Sequence, residues 1–390
     1  MKRVLLIGCG AEIGASLVAM NDPQRDGFCI DTILTNPIPD DPKNPTCTGI
    51  DSLYTRIVLA QPQMLDDISV DREADALIVK GNRILVVWGD ALTIDLGSVF
   101  KRKFDLCILA TSKKHIADLA IIGRFLDIAH YVIGVAEAKN LPAVYANLIG
   151  VPERFLPNPP RPIGENRIFT TGSCQSNGWH AQLRALLDLV HRSQLEAFSI
   201  RKLEIDIIHP DTPTGRLGTK ALEARSQDPR NNFRPSFSQI KMSMDALFPQ
   251  SNNLQTVALR TLIMPPGYQI SRFFFQYDRQ SGRLTRDEVI QSFDTTAHIL
   301  PSTLRMAHVP LGSRGFEFCE ASAIVLSGEH YLYFIDNPFS LTGSFREYVS
   351  ELIVQAYVHN VRGYCRSVLD VAYYLLYTSS PKAFFPAQFI

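Results

Sequence analysis

The chain has 390 residues, enough for about two domains with a sizeable core in each. Its 39 Lys+Arg balance its 39 Asp+Glu, which removes any general electrostatic case for nucleic acid or an acidic membrane surface as a partner. Seven cysteines with no CxxC pair point to reduced thiols in a cytoplasmic protein, not a disulfide framework or a metal site, and no apolar run approaches the ~20 residues needed to cross a bilayer.

Met1-Lys2-Arg3 before Val4-Leu5-Leu6-Ile7 has the outline of a signal peptide. The apolar run is too short and glycines break it, so it reads as a first β-strand. Gly8-Cys9-Gly10-Ala11-Glu12-Ile13-Gly14 follows, then an apolar helix pattern to Met20. Strand, glycine turn and helix are the context in which backbone approaches a pyrophosphate at a helix N-terminus. Gly8, Gly10, Ile13 and Gly14 are therefore candidate cofactor contacts. The spacing is GxGxxxG, one residue longer than the dinucleotide fingerprint, and Glu12 places a carboxylate near the expected phosphates. A turn that only packs helix on strand accounts for the same glycines. A second strand, 28–34, ends at Thr35-Asn36-Pro37, and 36–48 reads as a loop. Residues 77–80, a Gly81-Asn82 turn and 83–88 form a hairpin. Residues 104–110 form a buried strand ending at Thr111-Ser112, with a helix from Ile116 and a further strand at 131–135.

A short β-prone run from Arg167 ends at Thr171, and after Cys174 the pattern becomes helical, with Trp179, Leu183, Leu186, Leu187 and Val190 on one face. Ser173 is a fair N-cap. A thiol at a helix start sits where the macrodipole and unpaired N–H groups favour the nucleophilic thiolate; a merely buried thiol is the plainer alternative. A strand at 198–208 delivers His209-Pro210-Asp211-Thr212-Pro213-Thr214, and a histidine at a strand end, opening a polar loop, is a candidate base for that thiol. Segment 215–235 is polar and carries Arg216, Arg225, Arg230 and Arg234. Strand 255–264 carries Ala258-Leu259-Arg260, strand 271–277 and a helix over 286–293 follow, and a helix is expected over 345–357. Residues 365–390 add apolar helix and a Pro/aromatic tail.

Ser173-Cys174-Gln175-Ser176-Asn177 resembles the Ser-Cys-Thr-Thr-Asn motif of glyceraldehyde-3-phosphate dehydrogenases, and the His209 segment resembles that family's His-Ala-Tyr-Thr-Ala-Thr. Ala258-Leu259-Arg260 is similar to its Ala-Phe-Arg, and the stretch from Tyr331 to Phe339 to its Trp-Tyr-Asp-Asn-Glu-Phe. The resemblance implies an α/β chain: a Rossmann doubly wound dinucleotide-binding domain over 1–172, an α+β catalytic domain with a mostly antiparallel sheet over 173–337, and a C-terminal helix and tail, 338–390, returning to the Rossmann domain. It implies NAD or NADP as cofactor, held by Gly8, Gly10, Ile13, Gly14, Asn36, Thr111 and Asn337. Asn36 stands where the family has the Asp that binds the ribose 2′-hydroxyl, which opens the way to NADP; Lys43 is the cation seen nearby. The implied activity is oxidation of a phosphorylated aldehyde through a thioester on Cys174, with His209 as base, or the reverse reduction of an acyl phosphate. Ser173, Ser176, Thr212, Thr214, Arg230, Ser238 and Arg260 would hold substrate or phosphate, with Ser176, Ser236 and Ser238 covering for the family's Thr at Gln175. A tyrosine that the family places four residues after its nicotinamide-holding asparagine falls at Leu341. A homo-oligomer, a tetramer in the family, is implied as well. The alternative from another class is a non-catalytic or regulatory binding module that kept the dehydrogenase fold.

Overall fold

Val4 to Ile7 are at most 1% exposed, which is the environment of a strand covered on both faces. The computed structural model of the protein describes residues 1–37, 49–155, 166–210, 234–249, 253–261, 263–337 and 347–377. Within them the chain is mixed α/β, built on two eight-stranded sheets. Of the described residues, Met1–Val144, 166–172 and 368–377 cluster as one unit, and 145–155 with 173–367 as another. No described helix is long and apolar enough to cross a membrane.

The first unit opens with β1 (Lys2–Ile7), α1 (Glu12–Met20), the one-turn α2 (Pro23–Asp26) and β2 (Phe28–Thr35). It continues through α3 (Gly49–Ala60), β3 (Ile68–Asp71), β4 (Ala76–Val79), β5 (Asn82–Trp88), α4 (Leu96–Val99) and β6 (Phe104–Leu109). Two short helices, α5 (Lys113–Ala117) and α6 (Leu119–Gly123), lead to β7 (Ala129–Gly134) and β8 (Ile168–Thr170). The strand order is β3-β4-β5-β2-β1-β6-β7-β8. From β5 to β8 every pairing is parallel, while β3 and β4 add an antiparallel edge. The hairpin turn is Lys80-Gly81, both at positive φ, one residue earlier than the expected Gly81-Asn82. The single helix expected from Ile116 is instead split at Asp118, whose carboxylate accepts from the N–H groups of Ala120 and Ile121 and so caps a new helix start.

After residues 145–155, the second unit runs through α7 (Cys174–Arg192) and β9 (Glu196–Pro210), then β10 (Arg234–Ser236), α8 (Ile240–Leu247), β11 (Leu254–Thr261) and β12 (Gly267–Asp278). After α9 (Arg286–Ile299) come β13 (Leu304–Ala307), β14 (Ala323–Leu326), β15 (Leu332–Asn337), β16 (Glu347–Val358) and α10 (Arg362–Tyr377). The sheet runs β10-β11-β9-β12-β16-β14-β13, with β15 also paired to β16. It is antiparallel except at β9·β11 and β13·β14. From Glu347 on, the helix expected over 345–357 is therefore a strand. From Ser350 to Val358 every second residue is buried, a period of two that only a strand supplies, and β16 pairs with β12 along twelve positions. This strand also moves the expected boundary at 338, since 347–367 cluster with the second unit.

Helix α7 packs on this sheet and against α9. It is not amphipathic in the way its leucines suggest: Gln175, Ser176, Asn177, His180, Gln182 and Arg184 are buried along with the apolar face. Polar burial on that scale requires partners, and several are built in. Trp179 Nε1 donates to Ser243 Oγ at 3.0 Å, Gln182 Nε2 to Gln269 Oε1 at 2.8 Å, and Arg184 Nη1 to the Ile149 carbonyl at 2.8 Å. A Cβ on Gly178 would come within 2.4 Å of Val358, so glycine there lets the first turns of α7 lie directly on β16. The start of α7 is thereby held by packing on nearly every side.

Candidate functional site

Strand register alone brings distant residues of the second unit to the end of the sheet nearest the start of α7. β9 ends at His209 and Pro210, and β11 runs parallel to it with Arg260 opposite His209. β12 begins at Gly267, one residue before Tyr268 pairs with Ile208. β16 ends at Val358 opposite Gly267, and Asn360 follows two residues later. Cys174 is the first residue of α7, and Ser173 caps it: Ser173 Oγ accepts the Ser176 N–H at 3.1 Å.

The side chains meet. Cys174 Sγ lies 3.4 Å from His209 Nε2. The Gly267 N–H donates to Asn360 Oδ1 at 3.0 Å, which fixes which way the amide points. Asn360 Nδ2 then faces His209 and donates to Nε2 at 2.6 Å. A ring nitrogen that accepts carries no proton, so the imidazole proton is assigned to Nδ1, which donates to the Pro210 carbonyl at 2.6 Å. A backbone N–H on β12 thus selects, through Asn360, the tautomer in which the basic lone pair is on Nε2, the atom within reach of the thiol. His209 is 6% exposed, so this network has little competition from water.

Burial pushes the Cys174 thiol up to about 11, against the pull of the Arg260 guanidinium, the backbone N–H groups of Gln175 and Cys174, and the Asn360 amide. The expectation of a ready-made thiolate at the helix start is corrected here: desolvation of the anion outweighs the N–H groups and the cation together. The donors are nonetheless aimed at the sulfur, so a charge created there is met at once. Arg260 Nε donates to Ser236 Oγ at 3.0 Å, and its Nη1 lies 3.2 Å from His209 Nδ1. Both nitrogens carry hydrogen in this tautomer, so this is a close approach of a cation to the ring and not a hydrogen bond.

Other expected residues fall elsewhere. Ser173 and Ser176 are buried, their hydroxyls 2.8 Å apart and bonded to each other, so they build the helix start. Gln175 is buried too, its Oε1 accepting the Gln239 N–H at 3.1 Å. Ser238 Oγ bonds Thr256 Oγ1 at 2.8 Å, four residues back along β11 from Arg260. Asn337 is not at the site: it pairs with Val349, at the opposite end of β16 from Asn360, about 30 Å away along an extended strand. Thr212, Thr214, Arg230, Lys43 and Leu341 lie outside the described residues. The residue that sequence reasoning missed is Asn360, and a signal for it existed. The family's asparagine is followed by a tyrosine four residues on, and that spacing occurs at Asn360 and Tyr364. Gly363 between them is required as well, since a Cβ there would lie 2.2 Å from the Ala321 carbonyl oxygen.

In the first unit the glycines of the β1–α1 turn have separate tasks. Gly8 sits at φ +87°, and a Cβ on it would meet the Ala110 carbonyl at 2.8 Å; a Cβ on Gly14 would lie 2.1 Å from the Gly8 carbonyl oxygen. Both are demanded by packing of β1, β6 and α1. Gly10 is different: the nearest atom to its missing Cβ is Arg56 Nη1, 3.8 Å away. Nothing internal forbids a side chain there, and the bare backbone leaves room for a ligand. Thr111, just past β6, has a buried hydroxyl without a hydrogen-bond partner, next to Gly8. Ile13 is half-buried in the first turn of α1, and Asn36 is exposed past the end of β2. Burial raises the Glu12 carboxyl above its ordinary value. An open glycine and an orphaned hydroxyl at one sheet end fit a polar ligand such as a dinucleotide. No cluster of His, Cys, Asp or Glu among the described residues could hold a metal ion. No protein-family model matches the chain, and no curated protein matches it.

Proposed function

We propose that the protein is an NAD(P)-dependent dehydrogenase that oxidises an anionic, phosphorylated aldehyde through a thioester on Cys174, or runs the same chemistry backwards on an acyl phosphate. The observation that carries this reading is the 3.4 Å approach of Cys174 Sγ to a His209 Nε2 whose tautomer is set by Asn360. A nucleophile, a base in reach of its proton and a third group orienting the base are the parts that covalent catalysis needs. The strand order of the first unit supports the cofactor half of the reading. Numbering its six parallel strands alone, β5-β2-β1-β6-β7-β8 reads 3-2-1-4-5-6, the order of the doubly wound Rossmann fold, which binds a dinucleotide beyond the ends of its strands.

The chain's own residues would divide the chemistry as follows. Once its one lone pair leaves the Asn360 Nδ2–H, His209 Nε2 takes the thiol proton as Sγ attacks the aldehyde carbon, so the neutral thiol needs no prior ionisation. The N–H groups of Cys174 and Gln175, already turned towards negative charge at this point, hold the oxyanion. The proton returns from Nε2 to that oxygen, giving a thiohemiacetal. A bound nicotinamide would accept the hydride from its carbon. Nε2 takes the hydroxyl proton in that step, the thioester remains on Cys174, and Nε2–H then protonates the departing sulfur when phosphate or another nucleophile takes the acyl group. Arg260, half-buried at the mouth of the cluster, offers forked donors to an anionic substrate group.

Reduced-nicotinamide absorbance with a phosphorylated aldehyde and its unphosphorylated analogue tests the substrate class. Losing a charge-assisted contact costs ~1.5–3 kcal/mol, so Arg260→Ala should lower turnover of the phosphorylated substrate by roughly 10- to 100-fold more than that of the analogue. Equal losses would reject the anion site. The regulatory-module reading is favoured by burial, which pushes the Cys174 thiol up. Selective alkylation of Cys174 with protection by nucleotide supports the enzyme; indifference of Cys174 to both supports the module.

A further inference from the structure

We infer that Arg56 reads the 2′-phosphate of the cofactor, making NADP and not NAD the dinucleotide that the first unit selects; the inference rests on the dehydrogenase reading above. Helix α3 carries Arg56 to the glycine turn, where its Nη1 donates to the Gly10 carbonyl at 2.9 Å. Among the described residues no carboxylate pairs with this guanidinium, whereas Arg3, Arg72 and Arg83 of the same unit each have one. It lies over the single glycine of the turn that packing does not require.

Position completes the argument. The glycine turn is tied to the end of β2 by the Gly8 N–H on the Leu34 carbonyl at 2.8 Å and the Cys9 N–H on Thr35 Oγ1 at 3.4 Å. Arg56, Gly10 and the β2 end therefore form one local surface. In doubly wound folds an acidic residue past the second strand accepts from the ribose 2′-hydroxyl and excludes a 2′-phosphate, and an arginine nearby accepts the phosphorylated form. Here the position past β2 is Asn36, exposed and uncharged, with Asp40 and Asp41 outside the described residues, and the arginine comes from α3, about twenty residues later in sequence than the usual place to look. A planar guanidinium with spare donors suits a dianionic phosphate.

Titration calorimetry with NADP, NAD and adenosine 2′,5′-bisphosphate, on the full chain, tests this. The wild type should prefer NADP over NAD by at least ~10-fold. Arg56→Ala should weaken NADP and the bisphosphate by roughly 10- to 100-fold and NAD by less than about 3-fold, with Arg56→Lys in between. Asn36→Asp, on an exposed position that tolerates change, should reverse the preference towards NAD. Equal losses for NADP and NAD in Arg56→Ala, or an unchanged preference in both variants, would overturn the inference and leave the dehydrogenase reading standing. Failure of the wild type to bind either dinucleotide would overturn the reading and the inference with it.

Discussion

Cys9 and Cys174 stand in closely similar local settings and differ in what distant strands bring to them. Each lies at or just before a helix start, Cys9 fully buried and Cys174 partly so, and each feels one guanidinium, Arg56 for Cys9 and Arg260 for Cys174. Burial raises the first thiol to about 12 and the second to about 11. What Cys174 has in addition is a base at 3.4 Å and an amide that orients it, delivered by β9 and by the end of β16. A helix N-terminus and a nearby cation do not make a nucleophile in a dry site; an acceptor for the proton does. The difference between the two sites is non-local.

The largest effect that would break this comparison is on turnover. Cys174→Ser should abolish the acyl-enzyme, and His209→Asn should cut turnover by about 10²- to 10⁴-fold, the usual worth of a positioned base. Substantial activity in His209→Asn would mean that the proton leaves by another route. A sharper test addresses the tautomer. In Asn360→Asp the carboxylate can only accept, so one oxygen keeps the Gly267 N–H while the other draws the imidazole proton onto Nε2. Asn360→Asp should therefore be slower than Asn360→Ala, by about 10-fold or more, although it is the closer isostere. The reverse order would show that Asn360 acts only by packing.

Labelling gives the next contrast. With the Cys174 thiol at about 11, its alkylation in the ligand-free protein should keep rising with pH past 9, and His209→Asn should slow it at neutral pH. Cys9, fully buried, should stay unlabelled until the protein unfolds. A plateau near pH 7 would indicate a preformed thiolate. The smallest effect is on stability. Burial, aided by Arg362, holds His359 down to about 4, although Glu317 and Glu320 oppose it. Its Nδ1 accepts the Arg362 N–H at the start of α10, at 3.1 Å. The folded state thus binds fewer protons here than the unfolded chain, so stability is full above ~6.5 and falls as pH drops towards 4, by about 3 kcal/mol in all. Buried His180 acts in the same direction. Urea unfolding at pH 7.5 and 4.5 would show this, and His359→Asn should shrink the difference; a flat profile would contradict it.

How much of this was legible beforehand follows the same division. β1, its glycine turn and α1 are contiguous, and their pattern reads directly. The start of α7 was legible too, because Ser173 and the leucine spacing are local signals. Asn360 was missed, since β16 was read as a helix and the strand-to-helix junction that places the buried Asn360 beside His209 disappeared with it. The buried positions of 350–358 fall at every second residue, but the sequence hides that period, with Leu352-Ile353-Val354 in a row and Ser350 turned inward. Arg56 was missed for a different reason: α3 is short on pattern, and only folding brings its single cation back over Gly10. The thiol's resistance to ionisation was illegible in principle, because desolvation depends on how the whole second unit covers Cys174.

Intact-mass and peptide mass spectrometry after incubation with a competent aldehyde and oxidised dinucleotide is the measurement that bears most directly on the central claim. The account predicts one acyl adduct, on the peptide containing Cys174, that accumulates when the releasing nucleophile is withheld and is absent in Cys174→Ser. An adduct on Cys9 or another cysteine, or turnover with none at Cys174, would contradict it.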